Sequence, residues 1–211
     1  MEVSEAIKIN TLEFSTPQHR IIEIGLDIMG KSKDPTHSLL HISRMIGDYN
    51  KFMYDPINTK HKINRDVMMN AIVWHDTYKA SIDRSRKGLP LLIEEATEGF
   101  RSRDLFKSYA KEVGLDKEIM NKSAVAIRDH GFIHFPRFSK EAQLLADIDD
   151  LDILSHDRFE KANSFLEYTL QEQLDWALGY IDFRTKHGFY FEWSMKEFDE
   201  RKKVFLQKFK K

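Results

Sequence analysis

The chain has 211 residues, of which 41% are hydrophobic, enough to bury one substantial core, so a single domain over residues 1–211 is expected. Lys and Arg number 33 against 34 Asp and Glu, so no net field favours nucleic acid or an anionic membrane as a general partner. Cysteine is absent, which excludes disulfides, thiolate zinc sites and cysteine nucleophiles and leaves any metal to imidazole and carboxylate ligands.

The opening MEVSEAIKIN has no apolar run of signal-peptide length, and no later stretch has the length of a membrane span, so a cytoplasmic protein is expected. Apolar residues recur at three- and four-residue steps between sparse Gly and Pro, which predicts helices throughout. Ser15 or Thr16 caps the first helix, with Pro17 at its opening position and Gly30 at its close. Asp34-Pro35 starts a second helix that runs past His41 toward Tyr54, and Asn64 caps a third, RDVMMNAIVWHDTYK. The polar loop SIDRSRKG precedes a helix from about Pro90 to Val113 and another from about Asp116 to His130, with Gly114 and Gly131 as stops. GFIHFPRF reads as a turn or loop, and Ser139 opens EAQLLADIDDLDIL. A long helical stretch from about Asp157 to Lys186 precedes a last amphipathic helix from Ser194.

Two His-Asp pairs occur where composition alone gives about one by chance. On a helical wheel His75 and Asp76 fall beside Ile72, Met68 and Met69, which buries both, whereas His156-Asp157 follows Ser155 at a helix boundary where Asp is an ordinary cap. A buried imidazole beside a buried carboxylate needs either a structural hydrogen bond or a cation. In EAQLLADIDDLDIL the apolar face of Leu144, Leu145, Ile148 and Leu151 puts Asp150 on the solvated side, Asp147 and Asp149 at opposite edges and Asp152 nearly within it. Acids crowded at this spacing destabilise a helix unless cations compensate. His37 and His41, four apart, share an edge of the stripe made by Ile42, Met45, Tyr49 and Met53, and phase alone does not choose between them.

Taken together, HISRM (His41, with Arg44 three residues on), WHDTYK (His75 and Asp76) and LADIDDLD (Asp149) resemble the HD-domain superfamily, marked by a His, a His-Asp on the next helix and a distant Asp. The intervals of 34 residues from His41 to His75 and 73 from Asp76 to Asp149 are similar to those of small single-domain members, and the resemblance covers about 36–152, with terminal helices over 157–210. It implies an all-α, compact helical bundle. It also implies a metal held by His41, His75, Asp76 and Asp149, with Asp147 as competitor for Asp149 and Asp152 as supporting partner. His130 and His134 become ligands of a second metal or phosphate contacts, against a reading as a helix-ending His130 and a surface His134. Asp76 becomes the acceptor of the water's proton, and Arg44 and Lys79 stabilise phosphoryl charge. His37, Arg84 and Arg86 are candidates for substrate contact, although a solvated, mobile loop is the preferred reading of SIDRSRKG.

The function implied is hydrolysis of a phosphate mono- or diester of a small metabolite, a nucleotide by analogy, with a water activated by Mn²⁺, Fe²⁺, Co²⁺, Ni²⁺, Zn²⁺ or Mg²⁺. The alternatives are a non-catalytic HD module that binds a ligand or partner, and a di-iron oxygenase. Oligomeric state stays open, a homodimer included.

Overall fold

A computed structural model describes residues 14–130 and 137–209. Every regular element among them is helical: α1 (Thr16–Gly30), α2 (Leu39–Tyr54), a 3₁₀ turn (Pro56–Asn58), α3 (Arg65–Trp74), α4 (Thr77–Ser81), α5 (Gly88–Glu112), α6 (Lys117–Asp129), α7 (Lys140–Asp152), α8 (His156–Phe165), α9 (Leu170–His187) and α10 (Glu192–Phe209). The all-α expectation holds, and no helix among the described residues is long and apolar enough to cross a membrane.

Several helix starts follow from their caps. Ser15 accepts from the Gln18 amide, Asn64 from Val67 and Ser139 from Ala142, each supplying a partner to an amide that lacks one inside its helix. Asp116 does the same twice at the start of α6, and Gly114, at φ 73°, turns the chain between α5 and α6.

Three boundaries differ from expectation. Asp34-Pro35 does not open α2; the Asp34 carboxylate turns back onto the Thr36 amide at 2.8 Å, and the helix begins at Leu39 after Ser38. The third predicted helix breaks at His75-Asp76, because the His75 ring donates to the Ile72 carbonyl at 2.8 Å and Thr77 Oγ1 to the Trp74 carbonyl at 2.9 Å, taking acceptors a continuing helix would use. The stretch from Asp157 to Lys186 is two helices, divided where Thr169 and Glu172 form a capping box.

Val67 to Trp74 of α3 are all buried, and this helix packs against α1, α2, α6 and α7. Burying side chains such as Met68 or Ile72 contributes roughly 2 kcal/mol each. Two polar side chains of α3 are matched inside the core: Asn70 accepts from Gln18 and donates to Ser123, and the Trp74 indole donates to the Ile21 carbonyl. α3 therefore delivers its C-terminal His75-Asp76 to a fixed place between α2 and α7.

Candidate metal centre

His41 comes from α2, His75 and Asp76 from the break after α3, and Asp149 and Asp152 from α7. His41 Nδ1 donates to Asp152 Oδ2 at 2.7 Å and His75 Nδ1 to the Ile72 carbonyl at 2.8 Å. Each bond fixes the proton on Nδ1 and leaves a lone pair on Nε2. Those lone pairs face each other at 3.1 Å, and both face Asp76 Oδ2, at 3.0 Å from His75 and 3.4 Å from His41. Asp149 Oδ1 stands 3.6 Å from His41 Nε2. Asp76 Oδ2 is buried and has no aligned hydrogen-bond donor.

Two ligands at about 2.1 Å from one ion, at tetrahedral or octahedral angles, stand about 3.0–3.4 Å apart. The nitrogens and oxygens of His41, His75 and Asp76 have this spacing, all within 4.8 Å of one another, and Asp149 adjoins them through His41. Burial and Arg158 oppose a charge on His41, but Asp152 and Asp76 outweigh them and raise its pKa, so a proton competes with a cation there. That proton meets one of the converging acceptors, whereas a divalent cation meets all of them. Burial pushes the Asp76 carboxyl up, yet the facing His75, His37 and Lys79 hold it well below the usual range, a ligand ready in its charged form.

A second set adjoins the first. Asp76, Glu98 of α5 and His130 after α6 also place ligand atoms within 4.8 Å of one another. His130 Nδ1 donates to the Ile127 carbonyl at 2.5 Å, its Nε2 faces Glu98 Oε1 at 3.1 Å, and its ring stands edge-on to His75 at 4.9 Å. Arg137 donates to the carbonyls of Asp129 and His130 and braces this end. His134 lies outside the described residues.

Not every expected residue takes its expected position. Asp147 turns away from the histidines and accepts from the amides of Tyr190 and Phe191, so it does not compete with Asp149. Asp150 pairs with Arg184 instead of standing in solvent. Lys79 is only 4% exposed, and its ammonium lies on Glu98, 3.1 Å from Glu95 and 3.5 Å from Asp76. Arg84 is buried rather than solvated, on Asp34 and Glu95, and Arg86 is exposed beside the Phe165 ring. His37 lies behind the centre: Nδ1 bonds Asp34 at 2.7 Å and Nε2 is 3.7 Å from Asp76, with burial lowering its pKa to about 4. Arg44 is half-buried and pairs with Asp152 and, at 2.7 Å, with Asp157, the residue expected to be a simple cap.

Sequence reasoning missed Glu95, Glu98, Asp34 and Arg158. Arg158 donates to Asp149 at 3.1 Å and to Asp152 at 3.3 Å. A signal for Glu98 existed, since it sits in the stripe Leu91, Glu95, Glu98, Ser102, Phe106 of α5, an acid on a core-facing helical phase. Asp152 was recognised by that same sign. Comparison of the chain with family models, with curated proteins and with solved structures finds no match.

Proposed function

We propose that this protein is a metal-dependent phosphohydrolase of the HD-domain type acting on a small phosphorylated metabolite, a nucleotide by preference. The observation that carries the metal is the convergence of His41 Nε2, His75 Nε2 and Asp76 Oδ2 in a buried place, with Asp149 Oδ1, which also accepts from Arg158, beside them. The reaction class rests on the motif resemblance and on the chemistry of this ligand set.

His and carboxylate donors suit Mn²⁺, Fe²⁺, Co²⁺, Ni²⁺, Zn²⁺ or Mg²⁺, and such an ion supplies Lewis acidity, lowering the pKa of a water and polarising a phosphoryl oxygen. Asp152 and the Ile72 carbonyl keep the His41 and His75 lone pairs aimed inward. Asp76 is the carboxylate placed to accept a proton from the attacking water. On this reading Arg44, beside Asp152, and Arg158, beside Asp149 and Asp152, would neutralise phosphoryl charge.

Metal analysis of protein purified without chelator, with a phosphate-release screen over nucleoside monophosphates, diphosphates and cyclic dinucleotides, tests this. Bound metal and release abolished by Asp76→Ala are expected. Metal-free protein, or release that survives Asp76→Ala, rejects the reading. The second set around Glu98 and His130 favours a rival, a di-iron oxygenase, which iron without phosphate release would identify.

A further inference from the structure

The Asp76, Glu98 and His130 set has the donors of a second metal site, yet both of its carboxylates are already held by one cation of the chain itself. The Lys79 ammonium pairs with Glu98 and lies 3.5 Å from Asp76, 3.1 Å from Glu95 and 3.4 Å from His37 Nε2. α4, which carries Lys79, is packed against α5, which carries both glutamates. The lysine reaches them from inside the protein, its side chain 5% exposed, so it does not leave for solvent without opening that contact.

Charge leads to the same conclusion. An ion bound by Asp76, Glu98 and His130 would share both carboxylates with an ammonium that repels it in a poorly screened interior.

We propose that the Lys79 ammonium is the resident cation of the Asp76, Glu98 and His130 set, so that the centre takes one divalent ion, and that removing Lys79 opens a second metal site. This rests on the metal reading above. It gives Lys79 the task of fixing nuclearity instead of contacting substrate, and it separates this centre from di-iron chemistry.

The test is metal stoichiometry, read by Mn²⁺ titration with elemental analysis and by electron paramagnetic resonance, which distinguishes an isolated Mn²⁺ from an exchange-coupled pair. The unaltered protein is expected to bind one Mn²⁺ with the isolated-ion spectrum. Lys79→Ala, or Lys79→Met to preserve the packing of the stem, should bind two with a coupled spectrum, and Lys79→Ala combined with Glu98→Gln should return to one. Two ions in the unaltered protein, or a single ion in a Lys79 variant that keeps its helical circular dichroism, overturns the proposal. Should neither variant fold, the stoichiometry of the unaltered protein decides. No ion at all in the unaltered protein rejects the metal reading itself, a result distinct from finding two.

Discussion

Asp152 is not one of the converging ligand residues, yet it sets the chemistry of one of them. Its carboxylate accepts from His41 Nδ1 and is flanked by Arg44 and Arg158. Asp152→Asn can present an amide N–H to that ring, which moves the imidazole proton to Nε2 and removes the lone pair aimed at the centre. Mn²⁺ affinity of Asp152→Asn should fall by about 10- to 100-fold, the usual cost of losing such a supporting partner. Unchanged affinity in calorimetric titration would show that His41 is not a ligand. Asp152 was legible in the sequence as an acid on an apolar helical face, whereas Arg158 was not, because its meaning depends on how the chain turns between α7 and α8 to bring its guanidinium to Asp149 and Asp152.

At the scale of elements, the centre depends on a close approach and on a break. Gly99 of α5 crosses α6 so tightly that an added Cβ would lie 2.5 Å from the Arg128 carbonyl oxygen, a backbone atom that cannot swing aside. Its neighbour Glu98 is the residue that faces His130. Gly99→Ala should therefore destabilise the protein by about 1–3 kcal/mol despite the better helix propensity of alanine. Gly47→Ala in α2, where a Cβ meets nothing within 4 Å, should be neutral or stabilising by up to about 1 kcal/mol. Urea-unfolding midpoints of the pair check this, and equal shifts would refute the tight crossing. The break after Trp74 escaped the sequence reading because the pattern of Met68, Met69, Ile72 and Val73 is helical and continuous. Side-chain bonds to the Ile72 and Trp74 carbonyls end the helix there, and periodicity does not report such bonds.

Across the whole molecule, α7 presents acids in opposite directions, and the one facing away from the histidines adds a pH-dependent contribution to stability. Burial raises the Asp147 carboxyl to about 6, against the lowering effect of the Tyr190 and Phe191 amides that tie it to the turn before α10. Its folded pKa thus lies above the ordinary 3.8, so the folded state holds the proton more tightly. That contribution is complete below about pH 4 and is lost as pH rises through about 6, worth on the order of 3 kcal/mol. Asp147→Asn cannot titrate, so its melting temperature relative to that of the unaltered protein should rise between about pH 4 and 7, a difference in which the opposite contribution of His37 cancels. Parallel melting profiles for the two proteins would exclude Asp147 as the source.

The sequence by itself determined the helical character, the helix-opening positions at Ser15 or Thr16, Asn64 and Ser139, and the core-facing phase of Asp152 on its own helix. Those depend on local interactions within a few residues, which a linear pattern records. Tertiary structure decided the rest, because a helical phase is measured about one axis and pairing depends on how two axes are rotated against each other. His41 meets Asp152 across 111 residues and Arg84 reaches Asp34 across 50. Lys79 lies on Glu98 through the packing of α4 on α5, which turned an expected substrate contact into a buried cation. Asp147 and Asp149, two residues apart, were separated by what α7 packs against: the turn before α10 on one side and the histidines of α2 and α3 on the other.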